Sequence, residues 1–138
     1  MKNKKSFPFL ILMALLFVSA AEAQMKSGEA TPPNPTVAYQ AKFPITVQGG
    51  QYDLLTIILD FPSGAGVPKH FHGGHVLVTV LSGEMTLIEK NAETVIKAGE
   101  SWTENPGVEH AVVNKGASAR VAVSMLLPKG AEAQTLVQ

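Results

Sequence analysis

The 138-residue sequence predicts an all-β fold, an antiparallel sandwich or barrel, and three observations support this prediction. From residue 37 onward, short segments rich in branched and aromatic residues recur at regular intervals. Turns containing glycine, proline or asparagine separate these segments. No segment after residue 37 repeats apolar side chains with the helical period of about 3.6 residues. Many short strands at regular spacing are typical of sandwiches and barrels, so we expect one β domain over residues 37–128.

The first 23 residues have the features of a secretory signal peptide. Three lysines precede an apolar run over residues 7–18, and Ala21, Glu22 and Ala23 form the small-x-small site that signal peptidase recognises. An uncleaved membrane anchor is the alternative, although the run is short for a bilayer. Residues 24–36 are polar and rich in proline, which predicts a flexible linker. We therefore expect the mature protein to be secreted or periplasmic.

Charge and composition argue against several classes of function. The chain has 11 basic and 11 acidic residues, and residues 1–23 contain three lysines and one glutamate, so the expected mature chain carries a formal charge of −2. This mild balance lacks the basic surface that binds nucleic acid or an anionic membrane. The chain has no cysteine, which excludes disulfides, thiolate metal ligands and thiol nucleophiles. Stability must therefore come from the packed core.

The predicted strands follow one another in order along the domain. Residues 52–61 form an almost wholly apolar run, which is expected of a strand that is central or covered on both faces. Residues 76–81 alternate valine with other residues and end at a Ser82-Gly83 turn, which predicts a β-hairpin. Residues 129–138 are predicted to be a loose C-terminal tail. The predicted strands span residues 45–47, 52–61, 76–81, 85–90, 94–97, 101–104, 110–114 and 120–127.

Histidines are concentrated in one segment of the domain. Three of the four, His70, His72 and His75, lie within six residues, between a turn-rich stretch and an apolar strand. Successive side chains of an extended strand alternate between faces, so His70 and His72 should point the same way and lie close enough to hold one ion. His110 is the fourth histidine, and it would complete such a site.

Two spaced motifs in this chain resemble those of the cupin superfamily, the small jelly-roll β-barrels. The positions that match the first motif are Gly64, His70, His72 and Gly83. The positions that match the second motif are Gly99, Gly107, His110 and Asn114. The resemblance covers nearly the whole mature domain. It implies a single-domain antiparallel jelly-roll β-barrel.

The chain departs from the cupin pattern at two positions. Where the family usually has its carboxylate ligand, this chain has Val76 or Leu77, depending on the spacing, so the acidic ligand is absent. The proline of the second motif is displaced by one residue, with Asn105 in its place and Pro106 after it. The chain is similar to a branch of small cupins with an apolar residue at the acidic position.

The resemblance implies that His70, His72 and His110 ligate one divalent metal ion inside the barrel, with Fe, Mn, Zn, Ni and Cu as candidates. Three imidazoles suit such an ion and leave positions open for water or substrate. Regular alternation turns His75 outward, but a bulge at the preceding glycine pair would turn it inward as a fourth ligand. The alternative is a metal-free barrel in which the histidines are hydrogen-bonded lining groups.

A substrate pocket is expected around Val76, Trp102 and Glu104. Trp102 is either the wall of a pocket for a ring-containing substrate or a core residue. Glu104 is either an acid or base at the mouth of the barrel or a solvated carboxylate beside the turn.

These features together imply an exported small cupin that binds a divalent metal ion and acts on a small polar or anionic organic molecule. The reaction classes that the resemblance implies are those of a dioxygenase, an isomerase or a decarboxylase. The alternative is a cupin without metal, either a non-catalytic ligand-binding module or a structural subunit. We also expect a homodimer, because apolar strands near either end of the domain would otherwise leave sheet edges exposed.

Overall fold

The computed structural model describes residues 33–138, which form ten β-strands. The strands are β1 (Thr36–Val47), β2 (Gly50–Pro62), β3 (Gly66–Phe71), β4 (His75–Ser82), β5 (Glu84–Glu89), β6 (Ala92–Lys97), β7 (Ser101–Glu104), β8 (His110–Val113), β9 (Ser118–Pro128) and β10 (Thr135–Leu136). The predicted signal peptide, residues 1–23, and the predicted linker up to residue 32 lie outside the described residues. A helix able to span a membrane is not found within residues 33–138.

The ten strands form two antiparallel sheets of five strands each. The first sheet has the order β1-β2-β9-β4-β7, and the second has the order β10-β3-β8-β5-β6. Strands far apart in the chain are neighbours in both sheets, as β2 is with β9 and β3 is with β8. This all-β jelly-roll arrangement confirms the predicted fold class.

The core lies between the two sheets and is built from alternating residues of each strand. In β9, Val121, Val123 and Met125 are buried, whereas the residues between them are half-buried. The second sheet adds Met85 of β5 and Val112 of β8 to the same cluster. A strand with one face toward the core produces this period of two.

β2 lies between β1 and β9 inside the first sheet, as its apolar sequence predicts. Its two faces differ in exposure, because Leu55 is 5% exposed and Leu54 is 39% exposed. Within residues 33–138, the strand is therefore central but is not covered on both faces.

β1 is longer than its sequence predicts, since only residues 45–47 have a strand pattern. It pairs with β2 over its whole length and has no neighbour on its other side among the described strands. An edge strand accommodates Pro44, because its missing N–H leaves no gap in a ladder on the open side. The pairing with β2, rather than the local pattern, defines this strand.

The C-terminal segment, residues 129–138, is not the predicted loose tail. Within it, β10 pairs with Phe71 and His70 at the end of β3. The backbone N–H of Gly73 also donates to the carbonyl oxygen of Glu132, at 3.0 Å. The segment is ordered because the edge of β3 offers backbone groups that need partners.

The pair Gly73-Gly74 separates β3 from β4, which lie in different sheets. A Cβ atom on Gly74 would stand 2.2 Å from the carbonyl oxygen of Leu126. Only glycine tolerates such a close approach of neighbouring backbone, so the chain can turn from one sheet to the other here. The glycine pair is therefore a crossing between sheets, and not the bulge that would turn His75 inward.

Candidate metal centre

Three histidines from the second sheet and its adjoining turn meet at one point. His70 of β3 and His110 of β8 are direct cross-strand partners, and His72 follows the end of β3. Each histidine is 3% exposed. Their ring centroids are 4.3, 4.8 and 5.2 Å apart, and one ligand nitrogen of each ring lies within 4.8 Å of the others. The convergence expected from strand alternation and motif spacing is therefore observed.

Backbone carbonyls orient all three rings in the same way. The Nδ1 atoms of His70, His72 and His110 donate to the carbonyl oxygens of Pro68 (2.9 Å), Ala133 (2.5 Å) and Val108 (3.0 Å), respectively. A carbonyl oxygen only accepts, so each Nδ1 carries the hydrogen, and Nε2 of the neutral ring keeps its lone pair. Histidines that bind metal in proteins usually have their second nitrogen held in this way.

Glu104, the last residue of β7, lies against two of these rings. Its side chain is buried, with Oε2 at 3.0 Å from Nε2 of His72 and Oε1 at 3.1 Å from Nε2 of His110. The indole Nε1 of Trp102 donates a hydrogen bond to Oε1, at 2.8 Å. The alternative of a solvated turn carboxylate at Glu104 is therefore wrong. The side chain points inward because it shares the buried face of β7 with Trp102.

The contacts of Glu104 with the histidines place hydrogen-bond acceptors against one another, since the carboxylate oxygens face the Nε2 atoms of His72 and His110. The contact between Glu104 and His110 is short but is not aligned as a hydrogen bond, and within residues 33–138 Nε2 of His110 has no hydrogen-bond partner. The lone pair of a neutral imidazole nitrogen repels a carboxylate oxygen at about 3 Å unless a cation lies between them. The arrangement therefore needs either a proton or a metal ion.

Burial and the contacts between Glu104 and the histidines shift the pKa values of the groups in this site. Burial alone would raise the pKa of Glu104, but the close contacts with His110 and His72 hold it well below its usual range. Burial alone would lower the pKa of His110, but the carboxylate of Glu104 raises it above its ordinary value. Burial lowers the pKa of His70 to about 4, so this ring is neutral at pH 7. Positive charge is thus favoured between Glu104 and His110.

His75 and Val76 have different positions from the three convergent histidines. His75 is the exposed first residue of β4, and the structure does not bring it to the group. Its outward direction follows from the burial of Val76, since neighbours in a strand face opposite ways. Val76 packs in the core directly opposite Glu104 on β7.

A cavity of about 450 Å³ adjoins the histidines. Of the three residues expected in a substrate pocket, Trp102 and Glu104 line it and Val76 does not. Its other walls are mainly apolar, and they include Ile57, Leu59, Phe61, Val78, Met85 and Val123. This volume is in the range of pockets that hold small organic molecules.

A family profile described as Cupin domain matches residues 57–126, about half of the chain. The chain belongs to the cupin family. The matched span contains His70, His72, Glu104 and His110, so the converging side chains lie within the matched domain of this cupin. Among curated proteins, none matches the chain.

Solved structures with the same fold include three bacterial proteins. A Klebsiella pneumoniae protein with a double-stranded β-helix domain is 22% identical, with a TM-score of 0.54 over 78% of this cupin and 90% of that chain. A cupin domain from Bordetella pertussis is 20% identical, with a TM-score of 0.52 over 70% and 96%. A predicted oxalate decarboxylase from Thermotoga maritima is 21% identical, with a TM-score of 0.50 over 63% and 92%. At these identities the likeness establishes the fold alone.

The side chains of this cupin can hold a divalent metal ion. Three buried imidazoles offer nitrogen ligands, and such sites suit Zn, Fe, Ni or Cu. The buried Nε2 of His110, which lacks a hydrogen-bond partner among residues 33–138, is an atom that a cation would satisfy. The burial of Glu104 and the carbonyl of Ala133 are parts of the site that the sequence analysis missed. The burial of Glu104 could have been found from the sequence, because Glu104 lies two residues after Trp102 in one strand and so shares its face. A backbone carbonyl has no such signal in the sequence.

Proposed function

We propose that this cupin binds one divalent metal ion through His70, His72 and His110. The observation that carries the proposal is the common orientation of the three buried rings, each with Nδ1 bonded to a backbone carbonyl. The candidate ions are Fe, Mn, Zn, Ni and Cu. A bound ion of this kind supplies Lewis acidity and a fixed position for an oxygen or nitrogen atom of an organic ligand.

We propose that the organic ligand occupies the adjoining cavity and directs a polar or anionic group toward the histidines. The apolar walls favour a ligand whose remaining part is an apolar ring or chain. Trp102 offers one flat wall for such a body. If the ligand is turned over, the reaction classes to test are oxygen-dependent cleavage, isomerisation and decarboxylation.

A second candidate function is ligand binding without turnover. Apart from the candidate ligands His70 and His72 and the carboxylate of Glu104, the described residues that line the cavity include no ionisable side chain. General acid–base catalysis needs a titratable group within reach of the substrate. A protein that only holds a ligand does not need one.

Elemental analysis of untagged mature protein tests the metal proposal. We expect about one equivalent of a divalent metal per chain in the wild type after exposure to the five candidate ions. His72→Ala should lose most of it, because this ring is buried in the group, whereas His75→Ala should keep it, because His75 is exposed. A wild type that binds none of the five ions would overturn the proposal.

A thermal-shift screen on metal-loaded protein tests the ligand proposal. Small carboxylic acids with an aromatic or alkyl body should raise the unfolding midpoint more than acids of similar charge without such a body. The difference should vanish in His72→Ala, which serves as the metal-deficient control. A larger effect of the purely polar acids would contradict the role of the apolar walls.

We further propose that the protein is a homodimer that pairs through the outer face of its first sheet. Phe43 and Leu54 are cross-strand partners with exposed fractions of 55% and 39%, and the row continues through Leu126 to His75. Leu77 adds a further exposed apolar side chain to this face. Such patches on a monomer typically mark an interaction site. Light scattering should give a dimer for the wild type and a monomer for Leu54→Glu, and a monomeric wild type would refute the proposal.

Export of the protein is also a proposal. It is supported by the order of basic start, apolar run and small-residue site within residues 1–23. The intact mass of protein recovered from the periplasm or medium should lack these residues. A full-length mass would contradict it.

A further inference from the structure

We propose that Glu104 is the carboxylate ligand of this metal centre and replaces, from strand β7, the acidic residue that is absent at Val76. This inference rests on the proposed metal-binding function. It assigns a fourth protein ligand that comes from the neighbouring strand rather than from the first motif.

The pairing of β4 with β7 places the two positions side by side. Val76 and Glu104 are direct antiparallel partners, and the two residues are 2% and 8% exposed, so both side chains point to the interior. Opposite residues on one face of an antiparallel pair have Cβ atoms about 4.5–5.5 Å apart. A glutamate at either position can therefore bring its carboxylate to the same part of the site.

The carboxylate of Glu104 contacts two of the candidate ligands at once. Oε2 lies 3.0 Å from Nε2 of His72, and Oε1 lies 3.1 Å from Nε2 of His110. Ligand atoms that each lie about 2.1 Å from one ion are about 3.0–3.4 Å from one another in octahedral or tetrahedral sites. The observed separations are thus those of atoms that share a cation.

Trp102 supports this role by orienting the carboxylate. Its indole nitrogen donates to Oε1 at 2.8 Å, and this bond leaves further lone pairs on both oxygens. Hydrogen bonds of this kind to ligating carboxylates are a regular part of protein metal sites. Trp102 is therefore a positioning residue, and Glu104 is the ligand.

Metal affinity, measured by competition with a chromophoric chelator, tests the assignment. The wild type, Glu104→Gln and the double variant Val76→Glu/Glu104→Gln are titrated with Zn²⁺ and with Co²⁺. Glutamine keeps the shape of Glu104 but removes its charge, so we expect an affinity loss of more than about 100-fold, beyond the range typical of outer-shell partners. The double variant should regain at least about tenfold, because its carboxylate returns to the same face. Glu109→Gln, at an exposed acid that pairs with Lys69, is the matched control and should bind like the wild type.

The visible spectrum of the Co²⁺-loaded proteins gives a second measurement that does not depend on activity. It should change in Glu104→Gln, because a neutral amide replaces the charged carboxylate at the ion, and should stay unchanged in Glu109→Gln. If Glu104→Gln does not fold, Glu104→Asp replaces it, since the shorter side chain keeps the charge but withdraws the oxygens. We expect at least a tenfold loss of affinity for that variant.

The outcomes separate this inference from the proposed function. A wild type that binds metal, together with a folded Glu104→Gln that binds equally well with an unchanged Co²⁺ spectrum, would overturn the role of Glu104 and leave the three-histidine site. A wild type that binds no metal would overturn both. Loss of affinity in Glu104→Gln with recovery in the double variant would support both.

Discussion

The C-terminal segment can be used to measure how strongly the backbone supports the candidate metal centre. The carbonyl oxygen of Ala133 accepts the Nδ1 hydrogen of His72, at 2.5 Å. A chain that ends at residue 130 loses this acceptor, whereas a chain that ends at residue 134 keeps it and loses β10. We expect the first truncation to weaken metal binding and the second to change it by less than about threefold, below the range for loss of an outer-shell partner.

The size of the effect depends on what replaces the lost carbonyl. Loss of an outer-shell partner of a metal-binding histidine typically costs about 10–100-fold in affinity. His72 is 3% exposed in the full chain, but removal of the segment opens its ring to water, which can accept the same hydrogen. We therefore expect the low end of the range, about tenfold, or about 1.4 kcal/mol of binding free energy.

Chelator competition at constant pH measures this change after circular dichroism has shown that both truncated chains fold. A folded chain ending at residue 130 that binds metal as tightly as the full chain would refute the role of the Ala133 carbonyl. Equal weakening by both truncations would instead assign the effect to the pairing of β10 with β3.

Three further predictions concern the stability of the fold and are measured by urea or thermal unfolding. Asn114→Ala should lower the free energy of unfolding by about 2–4 kcal/mol, because this fully buried side chain donates to two backbone carbonyls and accepts from one N–H. Asn105→Ala is the control, and it should cost little because Asn105 is exposed. Gly83→Ala should lower the free energy of unfolding by about 1–3 kcal/mol more than Gly107→Ala. The angle φ is positive at both glycines, but only at Gly83 would a Cβ atom stand 2.2 Å from a backbone oxygen. Equal losses of unfolding free energy in the two variants would contradict this reasoning. The unfolding midpoint should fall on chelation and rise with the logarithm of free metal concentration, and a midpoint independent of metal would argue against the proposed centre.

Alternation of side chains is the part of this structure that the sequence predicts well. The valines of β4 and β9 repeat with a period of two, and His70 and His72 share one parity, so the buried faces and the pairing of two rings follow from local geometry. The position of His110 beside these two rings is predicted only by motif spacing. In the structure it follows from the register of β3 with β8, in which His110 lies opposite His70.

The position of Glu104 could not be predicted in the same way. Its parity with Trp102 is visible in the sequence, but its place opposite Val76 depends on the register between β4 and β7, which long-range packing sets. The Ala133 carbonyl is harder still, because a backbone acceptor is the same at every residue and leaves no mark in the sequence. The length of β1 cannot be predicted for a related reason, since its pairing with β2 rather than its own sequence pattern makes it a strand.

The distribution of the candidate ligands over the two sheets bears on how the molecule resists unfolding. His70 and His110 belong to the second sheet, whereas Glu104 ends β7, a four-residue edge strand that has β4 as its neighbour in the first sheet. An ion held by all three would act as a staple between the sheets and anchor this short edge. In a chain without cysteine, such an ion would take the place of a disulfide, and it could be removed and restored with the supply of free metal.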